Sequence, residues 1–395
     1  MNRKLILLCI LMSFIIFFAG CWSATELNSL SIVTAVGIDK SESGYLVTIQ
    51  LMNPSEVRGI KTSIRVPVIT YQITGQNVFE AFRRLKKQTP RKVYIGHLNV
   101  IVLGEELAKD GIDKILDFFF REHEIRTDFA IIIAKNIEAE KVLNILTPLE
   151  KIPVNKIHNS LETSQDLWGS TYDVHIDELI NDLISEGKNP VVTGIEVIGN
   201  SKIGSSISNV ENVKIPTIVT ISNIGVFQKD KLIGWLSENE GIGYNYIMGK
   251  IKSTIVTLPC EDGNIGIELL KIKSKIKGKV ENGKPKIEVK LWVEGNVADV
   301  GCKVELSKSK NIYELEEKLQ KKIKIDMEKT VEKVQKDFKS DIFGFGDAIH
   351  RADSKAWKEL KNNWNTTGFV DLPVDIQVTA KISGVGTVVD SFLKE

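Results

Sequence analysis

The first half of the chain alternates short apolar runs with amphipathic stretches. Residues 27–40 and 45–52 are rich in Val, Ile and Leu, and the turn-forming Ser41-Glu42-Ser43-Gly44 separates them, which predicts a β-hairpin. Continuous apolar runs at 98–103 and 129–134 predict strands that are covered on both faces. Between these runs, apolar residues recur at every third or fourth position, which is typical of helices. We therefore predict that strands alternate with helices. This order predicts an α/β or α+β region.

The second half of the chain has a different pattern. Strand-like segments follow one another between residues 217 and 306, and Asn282-Gly283 supplies a strong hairpin turn. Residues 311–338 then carry apolar side chains at every third or fourth position, which predicts a long helix. Asn311 is placed to cap this helix, with Glu314 as its capping-box partner. A last alternating strand follows, so we expect a C-terminal antiparallel sheet with a long helix.

These patterns predict a multi-domain α+β protein with mixed and antiparallel sheets and packed helices. The small, polar stretch at 199–214 is the best candidate for a linker. We therefore expect an N-terminal α+β region over 21–198 and a C-terminal α+β domain over 215–395, joined by that linker.

The first two dozen residues have the pattern of an export signal. Arg3 and Lys4 precede the apolar run 5–19, and Gly20-Cys21 follows it. The run has 15 residues. As a helix it would span roughly 22 Å, less than the roughly 30 Å hydrocarbon core of a bilayer. We expect residues 1–20 to be a signal peptide.

The segment Phe18-Ala19-Gly20-Cys21 resembles the bacterial lipobox, with an aromatic residue where the motif prefers Leu. The resemblance implies cleavage before Cys21, a diacylglycerol on its sulfur, and an acyl chain such as palmitate on the new amino terminus. An ordinary cleaved signal and an uncleaved anchor helix are the alternatives. In each case the rest of the chain works outside the cytoplasm at a membrane surface.

Composition narrows the class of protein. The chain has 52 basic and 51 acidic side chains, so its charge is mixed and the totals suggest neither nucleic-acid binding nor a polybasic lipid-binding surface. No second apolar run approaches the length of a membrane span. Cys260 and Cys302 are the remaining cysteines of the mature chain. A disulfide between them is one alternative. Because the sequence has no multi-cysteine framework, we favour the other alternative, two buried free thiols.

Motifs that would carry chemistry are missing from the sequence. The five histidines are scattered, and residues 121–124 (REHE) do not make the zinc-protease pattern HExxH. The sequence has neither a GxSxG elbow nor a phosphate-binding GxxxxGK[ST] loop, and Gly344-Phe345-Gly346 fits a helix break better than a dinucleotide loop. We therefore predict no catalytic residues, no cofactor and no metal, hence no enzyme.

Several short pieces, in a fixed order along nearly the whole chain, resemble one family, the Ger(x)C lipoproteins. They are Gly20-Cys21-Trp22, Gly37-Ile38-Asp39, residues 96–108 (GHLNVIVLGEELA), 225–227 (GVF), 230–236 (DKLIGWL), 293–296 (VEGN), 341–346 (DIFGFG), His350-Arg351 and Trp357. One departure is Ser23, where the family usually has an acidic residue.

The resemblance implies a function. Ger(x)C proteins are C subunits of nutrient germinant receptors, non-enzymatic, and lipid-anchored on the outer face of the spore inner membrane beside integral-membrane A-type and B-type subunits. Their fold is α+β in about three domains, so a small sub-domain from about 54–75 and 189–214 is expected here. Two other classes stay open, a solute-binding lipoprotein of a transporter and an envelope hydrolase.

Overall fold

The computed structural model describes residues 30–53 and 66–385. Thirteen strands in this part of the chain form two sheets. The strands of the first sheet are β1 (Leu30–Ser41), β2 (Gly44–Met52), β3 (Val68–Gly75), β4 (Lys92–Tyr94), β5 (Val100–Gly104), β6 (Ala130–Ala134), β7 (Val191–Ile198), β8 (Ile218–Gln228) and β9 (Lys231–Trp235). Their order is β3-β2-β1-β5-β6-β7-β8-β9, and the short β4 pairs with β1.

The centre of this nine-stranded sheet is parallel and its two edges are antiparallel. Strands β1, β5, β6 and β7 run in the same direction, while β2–β3 and β8–β9 extend the sheet as antiparallel pairs. In β6 the side chains of Ile131 and Ile133 enter one core cluster and that of Ile132 enters another. Both faces of the central strands are therefore covered, as their continuous apolar sequences predict.

Helices cover both faces of the sheet. They are α1 (Val78–Leu85), α2 (Glu105–Asp110), α3 (Asp113–Arg121), α4 (Ala139–Leu143), α5 (Pro153–Leu167), α6 (Ile176–Ile184) and the short α7 (Ser201–Gly204). Helices α4 and α5 contribute Val142 and Val154 to one core cluster, whereas α1, α3 and α6 contribute to the other. The prediction of strands interleaved with helices is confirmed.

The rest of the described chain forms a four-stranded sheet with helices. Its elements are α8 (Glu238–Met248), β10 (Thr254–Cys260), β11 (Gly263–Glu281), β12 (Lys284–Val300), α9 (Ser309–Lys333), α10 (Phe345–Ala352), α11 (Ser354–Leu360) and β13 (Val374–Gly384). Strands β10, β11 and β12 are antiparallel, as predicted. Strand β13 is parallel to β12, because the chain returns through helices α9–α11 before it enters the sheet. The whole is α+β with mixed and antiparallel sheets.

The long helix has the predicted apolar stripe but a different start. Leu315, Leu319, Ile323 and Met327 are all buried. The helix begins at Ser309, and Asn311 Nδ2 donates a hydrogen bond to the carbonyl of Glu305 at 2.8 Å. The predicted capping box of Asn311 and Glu314 is therefore wrong, because the Asn311 side chain binds the loop before the helix.

A capping box does open another helix, α8. The Ser237 side chain accepts from the Glu240 backbone N–H, and the Glu240 side chain accepts from the Ser237 N–H at 2.7 Å. Residues 238–243 form the first turns of this capped helix. Gly243 lies against α9, where a Cβ atom would come within 2.1 Å of Thr330 Oγ1. The close approach of the two helices requires glycine at this position.

Cys260 and Cys302 form a disulfide, with their Cα atoms 6.5 Å apart. The expectation of free thiols is therefore wrong. Strands β10 and β12 both pair with the first residues of β11, since Leu258 and Val300 flank Ile265. Because β10 and β12 pair with the same residues of β11, their ends bring the two cysteines together. The sequence pattern does not predict this pairing.

The stretch predicted as a linker joins two neighbouring strands. Residues 199–214 connect β7 to β8, and Ile198 pairs with Ile218 across the ladder. Within the stretch Asn209 is fully buried, and its Nδ2 donates to the carbonyls of Leu146 and Thr217. The boundaries at 198 and 215 stay a prediction, as does the small sub-domain, part of which lies outside the described residues.

Candidate functional site

Cys21, the one site residue that the sequence predicts, lies outside the described residues, so its lipidation stays a prediction. The described chain begins at Leu30 in the interior of the larger sheet. From there β1 pairs with β2, β4 and β5. Among residues 30–53 and 66–385, no helix is both long and apolar enough to span a bilayer.

The histidines do not assemble a reactive centre in the described part of the chain. Within these residues no group of three or more His, Cys, Asp or Glu side chains could hold a metal ion. His97 and His158 do come together, with Arg126 and Asp128, around a cavity of 180 Å³. The seven residues that line this cavity include neither serine nor cysteine, so they offer no hydroxyl or thiol nucleophile.

A buried carboxylate, Asp341, organises the junction between the two sheets. Its Oδ1 accepts hydrogen bonds from the backbone N–H groups of Phe343 and Phe345, at 3.1 and 3.2 Å. Its Oδ2 accepts from the Gly346 N–H at 2.7 Å and from Trp364 Nε1 at 2.9 Å. Burial raises the pKa of Asp341 to about 6, although all four hydrogen bonds favour the charged form.

The backbone around Asp341 joins this loop to the larger sheet. The Asn189 N–H, just before β7, donates to the carbonyl of Asp341 at 2.7 Å. The Ser340 hydroxyl donates to the carbonyl of Phe227 in β8 at 2.6 Å. On the other side, Asn365 Oδ1 accepts from the Asp341 N–H at 3.1 Å. Residues 341–346, which include the predicted helix break Gly344-Phe345-Gly346, therefore form a buried connection that holds three parts of the chain together.

Aromatic side chains continue this connection through the core. Neighbouring ring centroids lie 4.9 to 6.5 Å apart along the series Tyr172, Tyr244, Phe343, Phe345, Phe369, Trp364 and Trp357. Each of these rings is buried. Such contacts contribute packing energy beyond the burial of area. Trp357, Trp364 and Tyr244 are therefore core residues, and Trp364 also lines the cleft described next.

Beside this junction lies an open cleft of 990 Å³. One wall carries the apolar side chains of Leu116 and Phe120 from α3 and of Leu183 and Ile184 from α6. Phe120 and Ile184 keep 56% and 74% of their surface exposed, which is unusual for side chains of this size.

Charged groups surround the cleft, and one pair of them is buried. Lys188 Nζ lies 2.7 Å from Asp182 Oδ2, and burial raises the pKa of Asp182 to about 6 while Lys188 opposes the shift. Lys361 binds Glu186 at 2.8 Å across the opening. The sequence did not indicate this cleft, because its walls come from segments more than 200 residues apart. Its chemistry suits contact with a polypeptide or an amphipathic solute.

Three of the short pieces singled out in the sequence contribute side chains at the carboxyl ends of the central parallel strands. Asp39, at the end of β1, accepts hydrogen bonds from the N–H groups of Ala139 and Glu140 at 2.8 and 2.9 Å and so caps α4. Glu105 accepts from the Asn136 N–H at 2.8 Å and from Trp235 Nε1 at 3.2 Å. Both carboxylates bind structural donors, so these motif residues hold the fold together.

Comparison with known proteins agrees with the architecture. The family model described as "Spore germination protein N-terminal domain" matches residues 23–197. The model described as "Spore germination B3/ GerAC like, C-terminal" matches residues 222–386. These two models define the class, a spore germination protein with an N-terminal and a C-terminal part.

Individual relatives extend the match to nearly the full length. Spore germination protein KC of Bacillus subtilis (strain 168) is 32% identical over 396 residues, which cover 98% of this chain and 97% of the relative. Spore germination proteins B3 and A3 of the same organism are 25% and 22% identical, each covering 93% of this chain and 95% of the relative. The chain thus belongs to the GerAC-like, or Ger(x)C, family of spore germination proteins, as the resemblance in its sequence implied.

A solved structure supports the fold. The crystal structure of the GerBC protein matches with a TM-score of 0.54 and 22% identity, covering 88% of this chain and 96% of that one. The likeness confirms the α+β architecture. The relatives named above are all named as spore germination proteins.

Proposed function

We propose that this chain is a lipid-anchored, non-enzymatic subunit of a spore nutrient germinant receptor. The observation that carries the proposal is the end-to-end match to spore germination protein KC together with both family models. In this proposal Cys21 carries the lipid, and the folded part lies on the outer face of the spore inner membrane. Its partners there are the integral-membrane A-type and B-type subunits.

The anchor has a physical role in such a complex. Lipid tethering confines the chain to a thin layer beside the membrane, which raises its effective concentration next to membrane partners. Two or more acyl chains anchor a protein stably, whereas one binds only marginally. The subunit would then act as a scaffold that couples its partners, because side chains of both sheets share one core cluster and form a single braced body.

The test is a pull-down from spore membranes with the full chain tagged at its carboxyl terminus. We expect the wild-type chain to recover two multi-span membrane proteins and the Cys21→Ala variant to lose or weaken that recovery. Cys9→Ala is the matched control, since it removes a cysteine from the same N-terminal region and leaves Cys21 intact. Full nutrient germination by spores that carry only the Cys21→Ala chain would contradict the anchoring.

The open cleft is the observation that favours a second candidate function, a solute-binding lipoprotein of a transporter. Its volume of 990 Å³ lies at the upper end of the range of ligand pockets, roughly 300–1,000 Å³. A solute bound there would raise the melting temperature of the purified chain, and a Phe120→Ala variant would lose that increase. Recovery of a transporter permease in the pull-down, together with such stabilisation, would favour this function over the receptor.

A further inference from the structure

Six basic residues lie within ten positions of one another, from the last turn of α1 to the first residue of β4. They are Arg83, Arg84, Lys86, Lys87, Arg91 and Lys92, here called the basic turn. All six are exposed. Glu80 is the one acidic residue in the sequence between positions 76 and 95. The balanced charge of the whole chain conceals this local excess.

Few of these charges are neutralised by the protein itself. Arg84 pairs with Glu80 at 2.5 Å, and Lys92 approaches Glu124 at 3.5 Å. Exposed pairs of this kind contribute little and are readily exchanged for other partners. In the part of the chain that the structure describes, Lys86, Lys87 and Arg91 have no ion pair. The basic turn therefore keeps a positive surplus that faces solvent.

The basic turn lies where the chain arrives from its amino terminus. Lys92, the first residue of β4, is the ladder partner of Leu30, the first residue of β1. Adjacent strands lie about 4.8 Å apart, so the two backbones are neighbours. Nine residue steps separate Cys21 from Leu30. Even fully extended they span at most about 30 Å, which keeps this end of the sheet near any membrane that holds Cys21.

We propose that the basic turn binds the anionic phospholipid headgroups of the membrane that anchors the chain. The inference rests on the proposed lipidation of Cys21 and adds a second attachment that fixes orientation. An anionic leaflet attracts each Lys or Arg that comes within a Debye length, about 8 Å at physiological salt. One lipid signal plus one basic surface is a combination that stabilises membrane attachment. The far end of β1, with the cap formed by Asp39, then points away from the bilayer.

The arrangement favours a lipid surface over other polyanions. Lys86, Lys87 and Arg91 are exposed and have no ion pair among the described residues, and such mobile charges suit a fluid array of headgroups better than one shaped ligand. The tether brings this surface to a membrane before any other partner arrives.

The experiment uses the full lipidated chain in vesicles of phosphatidylcholine alone or mixed with phosphatidylglycerol. An amine-acylating reagent is applied, and mass spectrometry reads the acylation rate at each lysine. We expect Lys92 to be acylated at least about fivefold more slowly on the anionic vesicles, with protection lost at 1 M salt, where the Debye length is about 3 Å. Lys318 and Lys321, exposed on α9, should react at the same rate on both vesicles.

Matched variants separate the basic turn from charge in general. The triple change Lys86→Gln, Lys87→Gln and Arg91→Gln should abolish the protection of Lys92. The triple change Lys318→Gln, Lys321→Gln and Lys329→Gln removes three exposed charges from the long helix and should leave it intact. All six substituted side chains are exposed, and Gln suits the helix positions nearly as well as Lys, so folding should be preserved in both.

The possible outcomes distinguish headgroup binding by the basic turn from lipid anchoring through Cys21. Intact-mass measurement of the same sample shows whether Cys21 carries lipid. If lipid is present and Lys92 reacts equally on both vesicles, the basic turn does not bind headgroups, although the anchor stands. If lipid is absent, the anchoring fails, and salt-sensitive co-sedimentation of that chain with anionic vesicles still supports the basic turn. Protection that needs a membrane protein instead of anionic lipid would assign the surface to a protein partner.

Discussion

At the scale of the residue, the ionisation of Asp341 makes the stability of the junction between the two sheets depend on pH. Its carboxylate is fully buried with four donors in hydrogen-bond contact, and burial raises its pKa from 3.8 to about 6. A carboxyl with a raised folded pKa binds its proton more tightly when folded. The stability that it contributes is therefore present below about pH 4 and is lost as the pH rises to about 6.

We expect this residue to impose a pH dependence that Asp341→Asn removes. The free energy of unfolding of the wild type, minus that of the variant, should fall by up to about 3 kcal/mol between pH 4 and pH 6.5. Urea unfolding at several pH values measures the difference. Asp262→Asn, in the exposed turn after β10, is the control and should give a flat difference. A flat difference for Asp341→Asn as well would show that its carboxyl titrates normally.

At the scale of elements, the disulfide closes a long loop in the four-stranded sheet. It joins the end of β10 to the segment after β12, across a separation of 42 residues. Loop-closure entropy predicts a contribution of about 4 kcal/mol for a loop of this size, through restriction of the unfolded chain.

We expect a reductant to lower the free energy of unfolding of the wild type by about this amount. The Cys260→Ser, Cys302→Ser double variant should start at the lower value and not respond to reductant. Guanidinium unfolding with and without reductant measures both. Equal stability of the wild type in the two conditions would mean that the bond is absent from the mature protein or makes no net contribution.

The elements were predictable where the sequence pattern is local, and their assembly was not. Strands at 98–103 and 129–134 and the stripe along 311–338 follow from the spacing of apolar residues. The spacing of apolar residues does not show which strands become neighbours. It therefore predicts neither the parallel pairing of β13 with β12 nor the contact of Cys260 with Cys302. The role of Asp341 was not predictable, because the four donors to its carboxylate come from residues 2 to 23 positions away and meet only in the folded chain. The total charge of the chain does not reveal the basic turn, because basic and acidic side chains nearly balance over the whole sequence.

At the scale of the whole molecule, one core cluster includes side chains from both sheets. Ile101 and Ile131 of the larger sheet belong to the same cluster as Val289 and Ile376 of the smaller one. A continuous core favours cooperative unfolding, because neither sheet can expose its face without exposing part of the other.

We therefore expect a core change in one sheet to be felt in the other. Ile376→Ala should lower the free energy of unfolding by about 2–5 kcal/mol. In denaturant-dependent hydrogen exchange, peptides from β6 should shift by the same amount as peptides from β12. Ile255→Ala, exposed on β10, is the control and should change neither. A shift confined to β12 would show two independent units and support the predicted boundary near residue 198.

The position of β1 has a mechanical consequence. Any pull that reaches the body along its amino-terminal tether is applied at Leu30, the start of a strand bonded to β2 and β5 along its sides. Force along a strand loads its ladder bonds together in shear, whereas force on an edge strand would break them one after another. With the proposed lipid on Cys21, tension from the membrane would therefore load a central strand of the larger sheet in shear instead of peeling away an edge strand.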